Sequence, residues 1–138
     1  MGLISMEEYI RNLNMLKSIL EVNGIKLLIK PYQSENLDKY REMQFEILPW
    51  EPSCEVLFPL IRPVFTAGFF STSMITGKVL YGIDSIDLSR IFNIDADTGY
   101  SNKYEMVFKY FSDYVYRAES FDDIKNKINL INENSRKK

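Results

Sequence analysis

Four aspartates, Asp84, Asp87, Asp95 and Asp97, fall within fourteen residues that contain a single base, Arg90. Carboxylates at that density can hold a cation, work as acid and base, or present negative potential to a basic surface. The cation reading is testable by spacing. Asp95-Ala96-Asp97-Thr98-Gly99 has the opening of a calcium loop. Such a loop needs a ligand at its fifth position, glycine at its sixth and a bidentate glutamate at its twelfth. Here those positions are Gly99, Tyr100 and Met106, so the match fails at all three. An ordinary polar turn is the better account, since Asp and Gly are turn formers in their own right. For the four acids together, the plain reading is a solvated loop, because blocks of charge usually face water. The functional reading is a set of electrostatic contacts for a basic protein, which would raise the association rate through long-range attraction.

The remaining chemistry is limited by what is missing. The chain has no histidine. That excludes Ser-His-Asp and Cys-His catalysis, histidine general bases and almost all common zinc sites. Cys54 is the only cysteine, so no internal disulfide exists and no oxidising compartment is implied. It reads as a small, partly buried side chain. Gly77-Lys78 is not preceded by a phosphate-binding loop. Glu7-Glu8 and Asp122-Asp123 are charges at helix starts, and no carboxylate pair stands out as a glycosidase dyad. The expectation is a chain with no metal, no cofactor and no catalysis. The alternative is a small ligand-binding or enzymatic domain, its aromatic pocket served by a carboxylate or a tyrosine.

A length of 138 residues suits one domain spanning 1–138, large enough to bury a core without metal or disulfide. Met1-Gly2 reads as a cloning scar with a native start nearby, residues 1–4 as a frayed start and 134–138 as a basic tail. Hydrophobic residues make up 46%, and the aromatic content of 14% is mostly Tyr and Phe, which favours sheet and binding surface. Seventeen basic against nineteen acidic side chains give −2; without Arg136, Lys137 and Lys138 the count is fourteen against nineteen, or −5. A mildly acidic body argues against nucleic acid and suits a basic partner. No apolar run approaches the roughly 20 residues that span a bilayer, and no signal peptide is visible. A cytoplasmic protein is expected.

These residues need elements to position them. Ser5 and Glu8 form a capping box, and Tyr9, Leu13, Leu16 and Leu20 then follow as one apolar stripe ending at Asn23-Gly24, which predicts an N-terminal helix. Ile25–Ile29 reads as a strand, and Ser34 as the cap of a short helix through Leu37, Tyr40 and Met43. Residues 54–70 are very apolar, with Pro59 and Pro63 excluding a regular central strand; core strands with a buried loop, or a partner-binding patch, would explain them. Phe70–Ile83 reads as a hairpin turning at Thr76-Gly77, and Asp87–Phe92 as a helical turn capped by Ser85. Residues 104–117 fit a helix face through Val107, Tyr110, Phe111 and Tyr114 and also fit strand alternation; the wealth of Tyr, Phe and Val favours a hairpin turning near Ser112-Asp113. Ser120 and Asp123 start a closing helix whose stripe is Phe121, Ile124, Ile128 and Ile131. The expected fold is α+β: an antiparallel sheet of four to six strands, with helices from both termini packed against it.

The stretch Tyr114-Val115-Tyr116-Arg117-Ala118-Glu119-Ser120-Phe121-Asp122-Asp123-Ile124, an aromatic strand running into a Ser-Phe-acid-acid helix start, resembles the end of small immunity proteins. These belong to bacterial contact-dependent inhibition and other polymorphic toxin systems, some of the SUKH type. Size and acidity fit the same resemblance. It implies tight binding to one cognate protein toxin, plausibly a nuclease, in the producing cell's cytoplasm, without catalysis. Asp84, Asp87, Asp95 and Asp97 would then be the electrostatic contacts, with exposed Tyr or Phe as anchors.

Overall fold

Local capping explains where the helices begin. Ser5 Oγ accepts from the Glu8 backbone N–H at 3.1 Å and starts helix α1, Met6–Val22. The expected stripe is the one buried, with Leu13, Leu16, Ile19 and Leu20 facing the core. In the computed structural model, residues 5–31, 35–69, 72–92, 109 and 112–136 are described. After α1 come β1 (Leu28–Ile29), α2 (Asp38–Glu42), β2 (Glu46–Ile47), α3 (Cys54–Ile61), β3 (Phe65–Gly68) and α4 (Thr72–Tyr81). The chain continues through β4 (Asp84–Asp87), α5 (Ser89–Phe92), β5 (Tyr116–Arg117) and α6 (Phe121–Arg136). Ser34, the expected cap of α2, lies outside the described residues, and Asn36 Oδ1 accepts from the Asp38 N–H instead.

The sheets correct the expected fold class. β1 pairs with β2, and β3, β4 and β5 form a second sheet in that order; among the described residues every pair is parallel, not antiparallel. Parallel neighbours need a crossover, and α4 supplies it between β3 and β4. The hairpin expected at Phe70–Ile83 is therefore replaced by a helix over Thr72–Tyr81. Gly77 is not a turn residue: a Cβ there would meet the Phe58 ring at 3.1 Å, so its small size lets α4 approach α3. A turn does occupy residues 112–114. The strand after it, β5, pairs in parallel with β4; the hairpin expected over 104–117 falls mostly on residues 104–108 and 110–111, which lie outside the described residues. The helical turn near Asp87–Phe92 is present, but Ser85 sits in β4 and does not cap it.

β4 is the central strand, and three of its four residues are buried. Its sequence, Asp-Ser-Ile-Asp, is polar for such a place, because parallel central strands usually read as apolar runs. Hydrogen bonds make the burial tolerable. Thr66 and Ser85 hydroxyls meet across β3 and β4 at 2.9 Å, and Ser85 Oγ also donates to the Met74 carbonyl on α4 at 2.9 Å. Ile86 enters the main core, where it joins Leu16 and Leu20 of α1, Phe92 of α5 and Ile124 and Ile128 of α6. Ser120 Oγ accepts from the Asp123 N–H at 3.2 Å, as expected, while the Asp123 carboxylate accepts at 2.8 Å from the N–H of Glu119, one residue before the cap, where a capping box would use Ser120 itself. No helix among the described residues is long and apolar enough to cross a membrane.

Candidate functional site

The four aspartates do not form one surface in the described structure. Asp87 ends β4 and is 0% exposed. Its Oδ2 accepts from Ser89 Oγ at 2.7 Å and from Arg117 Nε at 3.3 Å. The Arg117 side chain is itself only 8% exposed. Asp84 is half-buried and paired with Lys78 at 2.6 Å. Asp95 and Asp97, with the rest of the Asp95–Gly99 segment, lie outside the described residues. Asp87 is thus part of the core and has no surface to offer a partner, and Asp84 has its charge balanced by its own chain. Among the described residues no group of three His, Cys, Asp or Glu is placed to hold a metal ion.

The pairing register explains why Asp87 and Arg117 meet. Gly68, Asp87 and Arg117 stand opposite one another at the carboxyl ends of β3, β4 and β5. In open parallel sheets that edge is where ligands bind. Here the charged pair at the edge is enclosed.

A second polar cluster joins α1 to α2. Tyr40, buried at the centre of α2, donates to the Glu35 carboxylate, and its hydroxyl lies 3.1 Å from that of Tyr9. Burial pushes the Tyr40 hydroxyl pKa far up, and the hydrogen bonds to Glu35 and Tyr9 push in the same direction. Lys39 Nζ reaches Glu35 at 2.8 Å and lies over the rings of Tyr9 and Tyr40 at 5.3 and 4.9 Å. Tyr9 in turn packs edge-on to Phe92, with centroids 5.7 Å apart. The Lys39 ammonium is therefore held in one place by a carboxylate and two aromatic faces.

Lys39 also lines an open groove of about 470 Å3 between α1 and α2. Met6, Ile10 and Met43 form its apolar lining, and Glu7, Arg11, Lys39 and Glu42 contribute two charges of each sign. On α1 the lining residues Met6, Ile10 and Asn14 are four apart, a row beside the core stripe. Ile10 is one residue from Tyr9 of that stripe, so spacing alone does not separate the two rows. Met43 gave no signal of its own, because its place in the groove depends on the docking of α2.

Of the Tyr and Phe side chains expected as anchors, Tyr81, Tyr114 and Tyr116 keep substantial surface among the described residues, and Trp50 does so as well. Cys54 is half-buried at the start of α3. The apolar segment that followed it in sequence forms α3 and leads into β3. On α3, Phe58 faces inward while Val56 and Leu60 face out. Pro59 has no N–H to give the Glu55 carbonyl one turn earlier. The Tyr81 hydroxyl of α4 approaches that carbonyl instead, at a long 3.5 Å.

Comparison with protein-family models, curated protein sequences and solved structures finds no match to this chain.

Proposed function

We propose that this chain acts by binding a protein, as an immunity or inhibitor protein that neutralises a cognate toxin, and that the α1–α2 groove is the contact surface. The observation that carries this reading is the groove itself, a wide opening with Met6 on α1, Met43 just beyond α2 and a lysine held in place beside it. An enzyme pocket encloses its ligand and converges polar groups on it. This groove does neither; it suits an apolar side chain or a helix face presented by another protein. Methionine adapts its shape at such contacts. The two acids and two bases at the groove would fix the register of the partner through charge matching. The resemblance of residues 114–124 to immunity proteins supports a toxin as that partner, and the acidic body would attract a basic one.

The test replaces Met6 and Met43 together by Arg, since both are well exposed and their loss leaves the core intact. Protection against the product of the reading frame immediately upstream, and calorimetric binding to it, should both be lost in the double variant. Retained protection with full affinity would move the contact surface elsewhere.

One observation favours a different reading, a small ligand-binding domain: the row Gly68, Asp87 and Arg117 lies at the sheet edge where α/β proteins take ligands. A saturable rise in melting temperature with a small anion, lost in Arg117→Met but not in the groove variant, would favour it.

A further inference from the structure

We propose that the outer face of α3, with the last turn of α4, is a two-fold interface that takes a second copy of this chain. Val56, Leu60 and Val64, with Val79, Leu80 and Tyr81, are each 44–76% exposed, although all are large apolar side chains. Tyr81 packs on Phe58 with ring centroids 6.0 Å apart, which ties the α4 residues to α3.

The charges on α3 point to a second copy as the occupant. Glu51 and Glu55 lie at the start of α3, and Arg62, exposed and in the left-handed conformation at φ 51°, caps its end. Glu55 and Arg62 are seven residues apart, or about 10 Å along a helix. Two copies of α3 related by a two-fold axis near Phe58 and Pro59 run antiparallel. Val56 of one then lies against Leu60 of the other, and Glu55 of one lies near Arg62 of the other. One axis satisfies both pairings, which is the self-complementarity an isologous contact requires. Antiparallel helices also place opposite dipole ends together.

The area is consistent with a weak dimer. An apolar side chain of this size removes on the order of 100 Å2 from water when fully buried. Six that are a little over half exposed offer roughly 350 Å2 per copy, or about 700 Å2 for the pair. Homodimer interfaces are about 65% apolar, so this corresponds to a total near 1,100 Å2, at the lower end of specific interfaces. Self-association is therefore expected to be weak, with its strength set by packing and charge pairing more than by area. This surface is separate from the α1–α2 groove, so the two proposals can fail independently.

The test is sedimentation equilibrium across the micromolar range. Wild type should show a monomer–dimer equilibrium. Leu60→Arg should be monomeric throughout, with unchanged circular dichroism and unchanged binding at the groove. Glu55→Arg and Arg62→Glu should each weaken the dimer about tenfold, and the double variant, which restores both pairs across the axis, should recover most of it. A wild-type chain that stays monomeric would overturn the proposal, whether or not it binds anionic vesicles through this face. So would a dimer indifferent to Leu60→Arg, or a charge-swapped double variant no better than its parents.

Discussion

Asp87→Asn separates the two accounts of the acidic segment most sharply. As a surface contact, Asp87 could be neutralised with little change in stability. In the structure it is fully buried, with Ser89 Oγ at 2.7 Å and Arg117 Nε at 3.3 Å. The amide that replaces it can still accept from Ser89, but it removes the carboxylate charge that faces the Arg117 guanidinium at 3.3 Å, where that side chain is 8% exposed. Removing one partner of a buried ion pair typically costs about 3–5 kcal/mol. A domain of this size has ~5–15 kcal/mol in total, so the loss is a large share. With a urea slope of about 2 kcal/mol/M, the midpoint should fall by roughly 2 M. Arg117→Met should cost a similar amount, by removing the guanidinium that faces the buried carboxylate. The pair Asp87→Leu with Arg117→Met should be less damaging than the sum of the two, since an apolar pair can replace buried charges at little net cost. Urea unfolding followed by circular dichroism measures all of these. A loss below about 1 kcal/mol for Asp87→Asn, the range of exposed ion pairs, would refute the buried placement.

Three further outcomes follow from the packing. Gly77→Ala should not deliver the ~1 kcal/mol that alanine normally adds to a helix interior, because its Cβ would press on the Phe58 ring at 3.1 Å; a melting temperature several degrees above wild type would contradict the close approach of α3 and α4. Tyr40 should not ionise with exposed tyrosines near its ordinary pKa of 10.0. Its folded pKa is raised, so the stability it contributes is complete below pH 10 and is lost as pH rises beyond that; ultraviolet titration should show one tyrosine resisting until unfolding, and Tyr40→Phe should flatten the alkaline loss. Ser5→Ala and Ser120→Ala should each cost about 0.5–2 kcal/mol by orphaning the capped N–H groups, whereas Ser53→Ala, whose Oγ is 3.4 Å from its N–H, should cost less.

The terminal helices were legible because each carries its signals locally. Ser5 with Glu8, and Ser120 with Asp123, mark the starts, and the apolar spacing marks the inner faces. The sheet was not legible, for three reasons. Asp84–Asp87 has the composition of a solvated loop, and its burial is made tolerable by partners that include Arg117, Thr66 and the Met74 carbonyl, all distant in sequence. The Thr76-Gly77 pair looks like a turn, yet the glycine serves a helix contact with Phe58. Strand direction has no local signature: β5 and its parallel pairing with β4 depend on how the whole chain closes. The groove was hidden for a related reason. Met6 and Ile10 sit on α1 and Met43 just beyond α2, and the Tyr9–Tyr40–Glu35–Lys39 network that brings the helices together is not a pattern of spacing.

The most direct test of the central claim is a calorimetric titration of this chain with the protein encoded immediately upstream of it. The account predicts saturable one-to-one binding per chain by wild type and by Leu60→Arg, and no measurable binding by the Met6→Arg, Met43→Arg double variant folded to the same extent. Absence of binding by wild type, or equal affinity for wild type and the double variant, would contradict it.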